Sequence, residues 1–134
     1  MFKKSNIFLI VLGVVLSLSL ISCSSTKGLE VTNSNQTLDN SKWELISLNQ
    51  KEIKKAEKVA NINFEKERVF GNLGCNNFFG TYKSNKNSLE IGQVGSTMMM
   101  CQNMQTEQDF AKVLQDVKTY KIDKNSLVFF DENS

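Results

Sequence analysis

Short runs in which apolar residues fall at every second position dominate the chain beyond residue 40, and that period restricts the fold more than any other feature. Ala60, Ile62 and Phe64 alternate with Val59, Asn61 and Asn63, as in a strand buried on one face. Trp43, Leu45 and Ser47 alternate in the same way with Glu44, Ile46 and Leu48. Glu65-Lys66-Glu67 reads as a turn and Arg68-Val69-Phe70 as its returning strand, which predicts a hairpin. Gly71 to Tyr82 continues in extended segments broken by glycines, and Leu89-Glu90-Ile91 is a short strand between Asn85-Lys86-Asn87-Ser88 and Gly92. Tyr120 and Ile122 share one face, Asp123 to Ser126 supply a turn, and Leu127 to Phe130 form a last strand. No proline interrupts any of them. One stretch changes period: Phe110, Val113, Leu114 and Val117 fall at i, i+3, i+4 and i+7, one stripe of a helix. Thr106 is its predicted N-cap, with Asp109 three residues on. Roughly six to eight strands and one amphipathic helix predict a mostly β (α+β) fold, a small antiparallel barrel-like or curled sheet packed on that helix.

The front of the chain obeys a different logic. Lys3 and Lys4 precede Ile7 to Ile21, an uncharged apolar run of about 15 residues, too short for a spanning helix of roughly 20 and suited to a secretory signal. It ends in Leu20-Ile21-Ser22-Cys23, which resembles the bacterial lipobox, so residues 1–22 read as a lipoprotein signal peptide and Cys23 as the lipidation site. The alternative is an uncleaved membrane anchor. Each buried acyl CH2 contributes about 0.8 kcal/mol, and several chains on one cysteine make the attachment effectively permanent. Ser24 and Ser25 follow, with no Asp to resemble an inner-membrane retention signal, so the expected location is the outer membrane, facing the periplasm. Residues 23–40 are polar and rich in Ser, Thr and Asn, a predicted flexible linker, and the folded domain is expected over 41–134.

Charge and residue types narrow the function. Removal of Lys3 and Lys4 leaves 14 basic residues against 14 acidic ones, so nothing recommends nucleic acid as a partner. The membrane, through the lipid, is the expected partner, besides an unidentified protein or small molecule of the envelope. KEIKKAEK, residues 51–58, interleaves its lysines with acids and reads as a solvated loop or short helix. The chain has no histidine, which excludes Cys-His nucleophiles, Ser-His-Asp triads and His-containing zinc sites. Gly71, Gly74 and Gly80 match neither GxGxxG nor a P-loop, and no motif calls for a cofactor. No catalytic residue and no enzymatic activity are therefore expected.

With Cys23 lipidated, Cys75 and Cys101 remain. An even pair in an oxidising compartment predicts a disulfide; the alternative is two buried thiols packing as small hydrophobes. Met98-Met99-Met100-Cys101, with Met104 nearby, offers soft sulfur suited to Cu(I). In an extended chain Met98 and Met100 face one side and Met99 the other, so the run does not converge on a metal, and core filling is the competing use. Trp43, Phe78, Phe79 and Tyr82 are candidates for an apolar pocket or for the core.

Trp43 opening the domain, GCNNFFGTY at 74–82, STMMMC at 96–101, Glu107, Phe110 and Leu114 on a helix, and the ending with Tyr120 and Leu127 together resemble the META domain (HslJ) family. The signature falls on Gly74, Cys75, Asn76, Phe78, Gly80, Tyr82, Ser96, Thr97, Met99 and Cys101. The resemblance implies a small, mostly β, barrel-like domain with one helix. Its members are often secreted or lipid-anchored, one is a heat-inducible protein linked to novobiocin resistance, and no enzymatic activity is established for the family as a whole. Met100 stands where the family commonly has a small residue or methionine, which weakens the copper alternative. The expectation is a non-enzymatic binding or stress-related envelope lipoprotein, against a Cu(I) binder or a protein-interaction or inhibitor module.

Overall fold

The structure, a computed structural model, describes residues 1–4, 37–53, 59–102 and 104–133. The apolar run Ile7–Ile21, Cys23, most of the predicted linker and residues 54–58 of the lysine-rich segment lie outside the described residues.

Eight antiparallel strands close into a barrel. In chain order these are β1 (Phe2–Lys4), β2 (Ser41–Leu45), β5 (Asn61–Glu65), β6 (Arg68–Asn72), β7 (Asn77–Asn85), β8 (Ser88–Ile91), β10 (Thr119–Asp123) and β11 (Ser126–Phe130), with the short pieces β3 (Ser47–Leu48), β4 (Lys51–Glu52) and β9 (Gly95–Ser96) between them. Around the wall the order is β6, β5, β2, β1, β11, β10, β8, β7, and β7 pairs back to β6, which removes every open edge of the circuit. β9 adds to β7, and β3 and β4 make a separate ribbon.

The alternation read from the sequence decides which side chains enter the barrel. Ile62, Phe64 and Val69 are buried and face inward from the β5–β6 hairpin. Its turn is the two-residue Lys66-Glu67, both with positive φ (49° and 65°), the left-handed geometry that matches strand twist. Trp43 and Leu45 are buried as expected, but the alternation slips beyond them. β2 ends at Leu45, and Leu48, rather than Ser47, is the next buried side chain.

The single helix, α1 (Gln105–Asp116), lays Phe110 and Leu114 on the core. Phe110 packs edge-on against Phe78, with ring centroids 6.0 Å apart. The helix begins one residue earlier than its predicted cap. Met104 is the N-cap and makes no side-chain capping bond, while Thr106 lies inside the first turn. Asp109 instead accepts a bond from Gln105 Nε2 (2.9 Å).

Two contributions to the core come from segments expected to lie outside it. Leu38 is buried, so the fold reaches back past Ser41 into the predicted linker; the Ser41 hydroxyl bonds the Leu38 carbonyl, and Trp43 Nε1 donates to Ser41 Oγ (2.7 Å). Phe2, from the basic start of the chain, is 1 % exposed and sits between β2 and β11, opposite Leu45 and Leu127. No helix of the described residues is long and apolar enough to cross a membrane.

Candidate functional site

Gly74, Cys75, Asn76, Thr97, Met99 and Cys101 of the family-like signature come together in one corner, while Phe78, Gly80 and Tyr82 run along β7. After β6, the chain turns through Leu73-Gly74-Cys75-Asn76 before entering β7. Gly74 has φ = +120°, a conformation that L side chains rarely adopt, so glycine is required there. Asn72 secures the turn from outside: its Oδ1 accepts from the Gly74 N–H (2.8 Å) and its Nδ2 donates to Asn77 Oδ1 (2.9 Å). Leu73 N–H closes the turn onto the Asn76 carbonyl at 2.8 Å.

Asn76 is the hub of this corner, at 2 % exposure. Its Nδ2 donates to the Met99 carbonyl (3.0 Å) and to Glu107 Oε1 (2.8 Å). Its Oδ1 accepts from the Met99 N–H and the Thr97 hydroxyl, both at 2.7 Å. Its backbone N–H donates to Glu107 Oε2 at 2.7 Å, so the Glu107 carboxylate grips Asn76 with both oxygens. Every polar group of Asn76 is used, as burial demands. Three separate segments, the turn after β6, residues 97–99 and the first turn of α1, therefore meet on one amide side chain. Among the described residues, no buried side-chain nitrogen or oxygen lacks a partner.

The covalent tie lies beside it. Cys75 and Cys101 are joined in a disulfide, with Cα atoms 6.1 Å apart and a separation of 26 positions in sequence. Two free thiols are thereby ruled out, as is the thiolate that a copper site at Cys101 would use. The methionines do not converge. Met98 and Met100 are each 96 % exposed, Met99 is 45 % exposed with its backbone engaged by Asn76, and Met104 precedes the helix. Among the described residues, no group of His, Cys, Asp and Glu could hold a metal ion.

The aromatic candidates separate. Trp43, Phe78 and Tyr82 are core residues, while Phe79 is 66 % exposed on the outer face of β7. Its ring lies across Gly95, where a Cβ would come within 2.9 Å of it; the same strand pair places Ser96 opposite Phe78. Gly80 lies between these aromatics, opposite Val69. Tyr82 packs edge-on against Phe64 (4.9 Å), and its hydroxyl reaches Asp39 Oδ1 at 3.4 Å. Burial, with the Asp39 carboxylate beside it, pushes the Tyr82 phenol up to about 12.

Two clefts of about 640 and 800 Å³ lie at the end of the barrel where Met1 emerges. Leu45 and Leu48 border both, and the larger reaches Gly74 and Thr106 at the edge of the signature corner. Neither is lined by Cys75, Asn76 or Cys101. Sequence reasoning placed Asn76 and Glu107 only within a pattern. A buried asparagine facing a helical glutamate 31 residues away leaves no local periodic signal.

A closed eight-stranded barrel with a helix on its core and a disulfide-stapled corner defines a small β-barrel domain class. Within it, the chain belongs to the META domain family, whose pattern matches residues 36–134. The fold is similar to that in the NMR structure of a protein from Burkholderia xenovorans, at 20% identity and a TM-score of 0.64, over 72% of this chain and 77% of that one. A second protein solved by NMR is similar at 23% identity and a TM-score of 0.60, over 71% and 84% of the two chains. Comparison with curated protein sequences finds no match.

Proposed function

We propose that this protein is a META-domain lipoprotein, anchored through Cys23 in the outer membrane and acting in the bacterial envelope by binding rather than by catalysis, in a stress-related role. The attachment rests on the uncharged run Ile7–Ile21 ending in Leu20-Ile21-Ser22-Cys23. The observation that carries the binding role is how the signature spends its polar groups: the Asn76 amide and the Glu107 carboxylate are bonded to each other and to Met99 and Thr97. Cys75 and Cys101 are bonded to each other, so neither is a nucleophile. An acid, a base and a nucleophile poised over one cleft, the minimum for hydrolytic or transfer chemistry, find no support there.

Labelled palmitate should enter the wild-type chain and not Cys23→Ala, and that variant should leave the outer-membrane fraction; label in the variant refutes the anchor. Loss of the gene should sensitise cells to heat or novobiocin, with rescue by the wild type. Wild-type tolerance in the deletion strain refutes the stress role.

One observation favours a protein-interaction module over the copper alternative. Met98 and Met100 project into solvent from a segment fixed by Asn76 and the disulfide, an adaptable apolar surface on a rigid base. Photocrosslinking from position 98 in cells should trap an envelope protein, and unchanged weak Cu(I) binding in a Met98/Met100/Met104 triple substitution would dispose of the metal.

A further inference from the structure

The outer face of β5, β6 and β7 carries three rows of side chains in register. Asn61, Asn72 and Asn77 stand side by side in one row. Asn63, Phe70 and Phe79 form the next, with Gly95 of β9 beyond Phe79. Glu65, Arg68 and Thr81 form the third. Strand alternation sends Ile62, Val69 and Phe78 into the core and these side chains outward. Phe79 is the one aromatic among the described residues that the fold leaves mostly in solvent, and Phe70 opposite it is half-buried. The Phe79 ring reaches over Gly95, where a Cβ would stand 2.9 Å from it, so glycine lets the ring settle there with its other side open to water. The amides around the rings are held in fixed directions. Asn63 Nδ2 donates to Asn61 Oδ1 (3.2 Å) and to the Phe70 carbonyl (3.1 Å), and Asn72 Nδ2 donates to Asn77 Oδ1 (2.9 Å). Asn63 Oδ1 and Asn77 Nδ2 have no partner among the described residues, which leaves an acceptor and a donor beside the rings.

We propose that this face is a carbohydrate-binding site, which takes an uncharged oligosaccharide with one pyranose ring stacked on Phe79 and its hydroxyls bonded to Asn63 and Asn77. A pyranose presents its axial C–H groups as an apolar face and a rim of hydroxyls that both donate and accept. The C–H groups carry partial positive charge and meet the negative face of the aromatic ring. The hydroxyls match amides, which likewise donate and accept. Amides already locked to one another lose little freedom on binding. Charge selects against a nucleic acid. The charges that flank the face come in opposite pairs, Lys42 with Glu44 along β2 and Glu65 with Arg68 across β5 and β6, so no excess of cations awaits a phosphate chain. Backbone pairing selects against a peptide strand. β6 is paired on both sides, and so is β7 at Phe78 and Phe79, which leaves no free edge there. The site uses neither Met98 and Met100 nor a lipid at Cys23.

The test titrates the chain as isolated from cells, oxidised and in a detergent without sugar headgroups. The probes are chitotetraose and cellotetraose, an N-acetylated and an unmodified glucose tetrasaccharide, followed by saturation-transfer NMR and calorimetry. Saturable binding of either, in about the millimolar range, supports the site, and the tighter of the two shows whether acetamido groups add to it. Phe79→Leu keeps an apolar cover over Gly95 but has no ring face. It should keep the wild-type Tm and weaken binding at least about tenfold, whereas Phe79→Tyr should bind within about threefold of wild type. Asn77→Ala should weaken binding, and Met98→Ser with Met100→Ser should leave it unchanged. No saturable binding of either sugar, or equal binding by wild type and Phe79→Leu, overturns the proposal. Binding lost in the methionine variant places the sugar elsewhere and overturns it too.

Discussion

Substitution of Asn76 by Ala removes four side-chain hydrogen bonds to nitrogen and oxygen partners at once, besides a weak one to Cys75 Sγ (3.8 Å), from a site that is 2 % exposed. The three to neutral partners contribute about 1 kcal/mol each, and the one to the Glu107 carboxylate about 1.5–3 kcal/mol. Part of this is recovered where water reaches the freed Thr97 and Met99 groups, which are partly exposed, so the expected loss is about 3–5 kcal/mol. Urea denaturation of the oxidised protein, followed together by Trp43 fluorescence and far-ultraviolet circular dichroism, measures it provided the two transitions coincide. Asn76→Asp keeps the shape but loses both amide donors and sets a second carboxylate against Glu107. It should destabilise at least as much as Ala at neutral pH. A double-mutant cycle between Asn76→Ala and Glu107→Ala should give a coupling of at least about 1 kcal/mol, since the two residues share one network. A loss below about 1 kcal/mol for Asn76→Ala, or wild-type stability for Asn76→Asp, would refute the hub.

Three further outcomes follow from the same geometry. Replacing both Cys75 and Cys101 with Ser reopens a loop of 26 residues and should lower stability by about 3.5 kcal/mol in the chain-entropy model, read as a fall in denaturation midpoint. Tyr82 is ordinary at 10.0 when unfolded and about 12 when folded, so its contribution is full below pH 10 and is lost as pH rises from 10 to 12, and Tyr82→Phe should flatten that limb of the stability profile. Limited peroxide treatment should convert Met98 and Met100 to sulfoxides ahead of Met99 and Met104 with little change in Tm, because both side chains are 96 % exposed; peptide mapping by mass decides it.

The wall of the barrel was legible because its strands are half-buried and a two-residue period survives in the sequence. Asn61–Glu65 with Arg68–Asn72, and Thr119–Asp123 with Ser126–Phe130, follow that period and its turns. The helix stripe at Phe110 and Leu114 was equally plain, but its start was not. Thr106 has the chemistry of a cap, yet the tertiary grip of Glu107 on Asn76 accompanies a start at Gln105 without any side-chain cap. Leu38 and Phe2 were missed for a different reason. Leu38 is a lone apolar residue in a polar stretch and Phe2 directly precedes two lysines, and only the three-dimensional gap each fills identifies it as core. In the corner, the cysteines were legible by count and Gly74 by type. The hub function of Asn76 was not, because an amide that ties its own turn to two distant segments has no spacing to betray it.

Asp39 Oδ1 accepts the Lys66 N–H at 2.8 Å and faces the Tyr82 hydroxyl, immediately beside buried Leu38 and ahead of β2. If the domain is tethered at Cys23, as proposed above, this is where tension enters. A pull transmitted through residue 37 must extract Leu38 and tear Asp39 from the β5–β6 turn before it can begin to unzip β2 from β5. The load is thus taken first by a side-chain clamp that grips several strands together, and the barrel can be tugged through residue 37 without β2 peeling away.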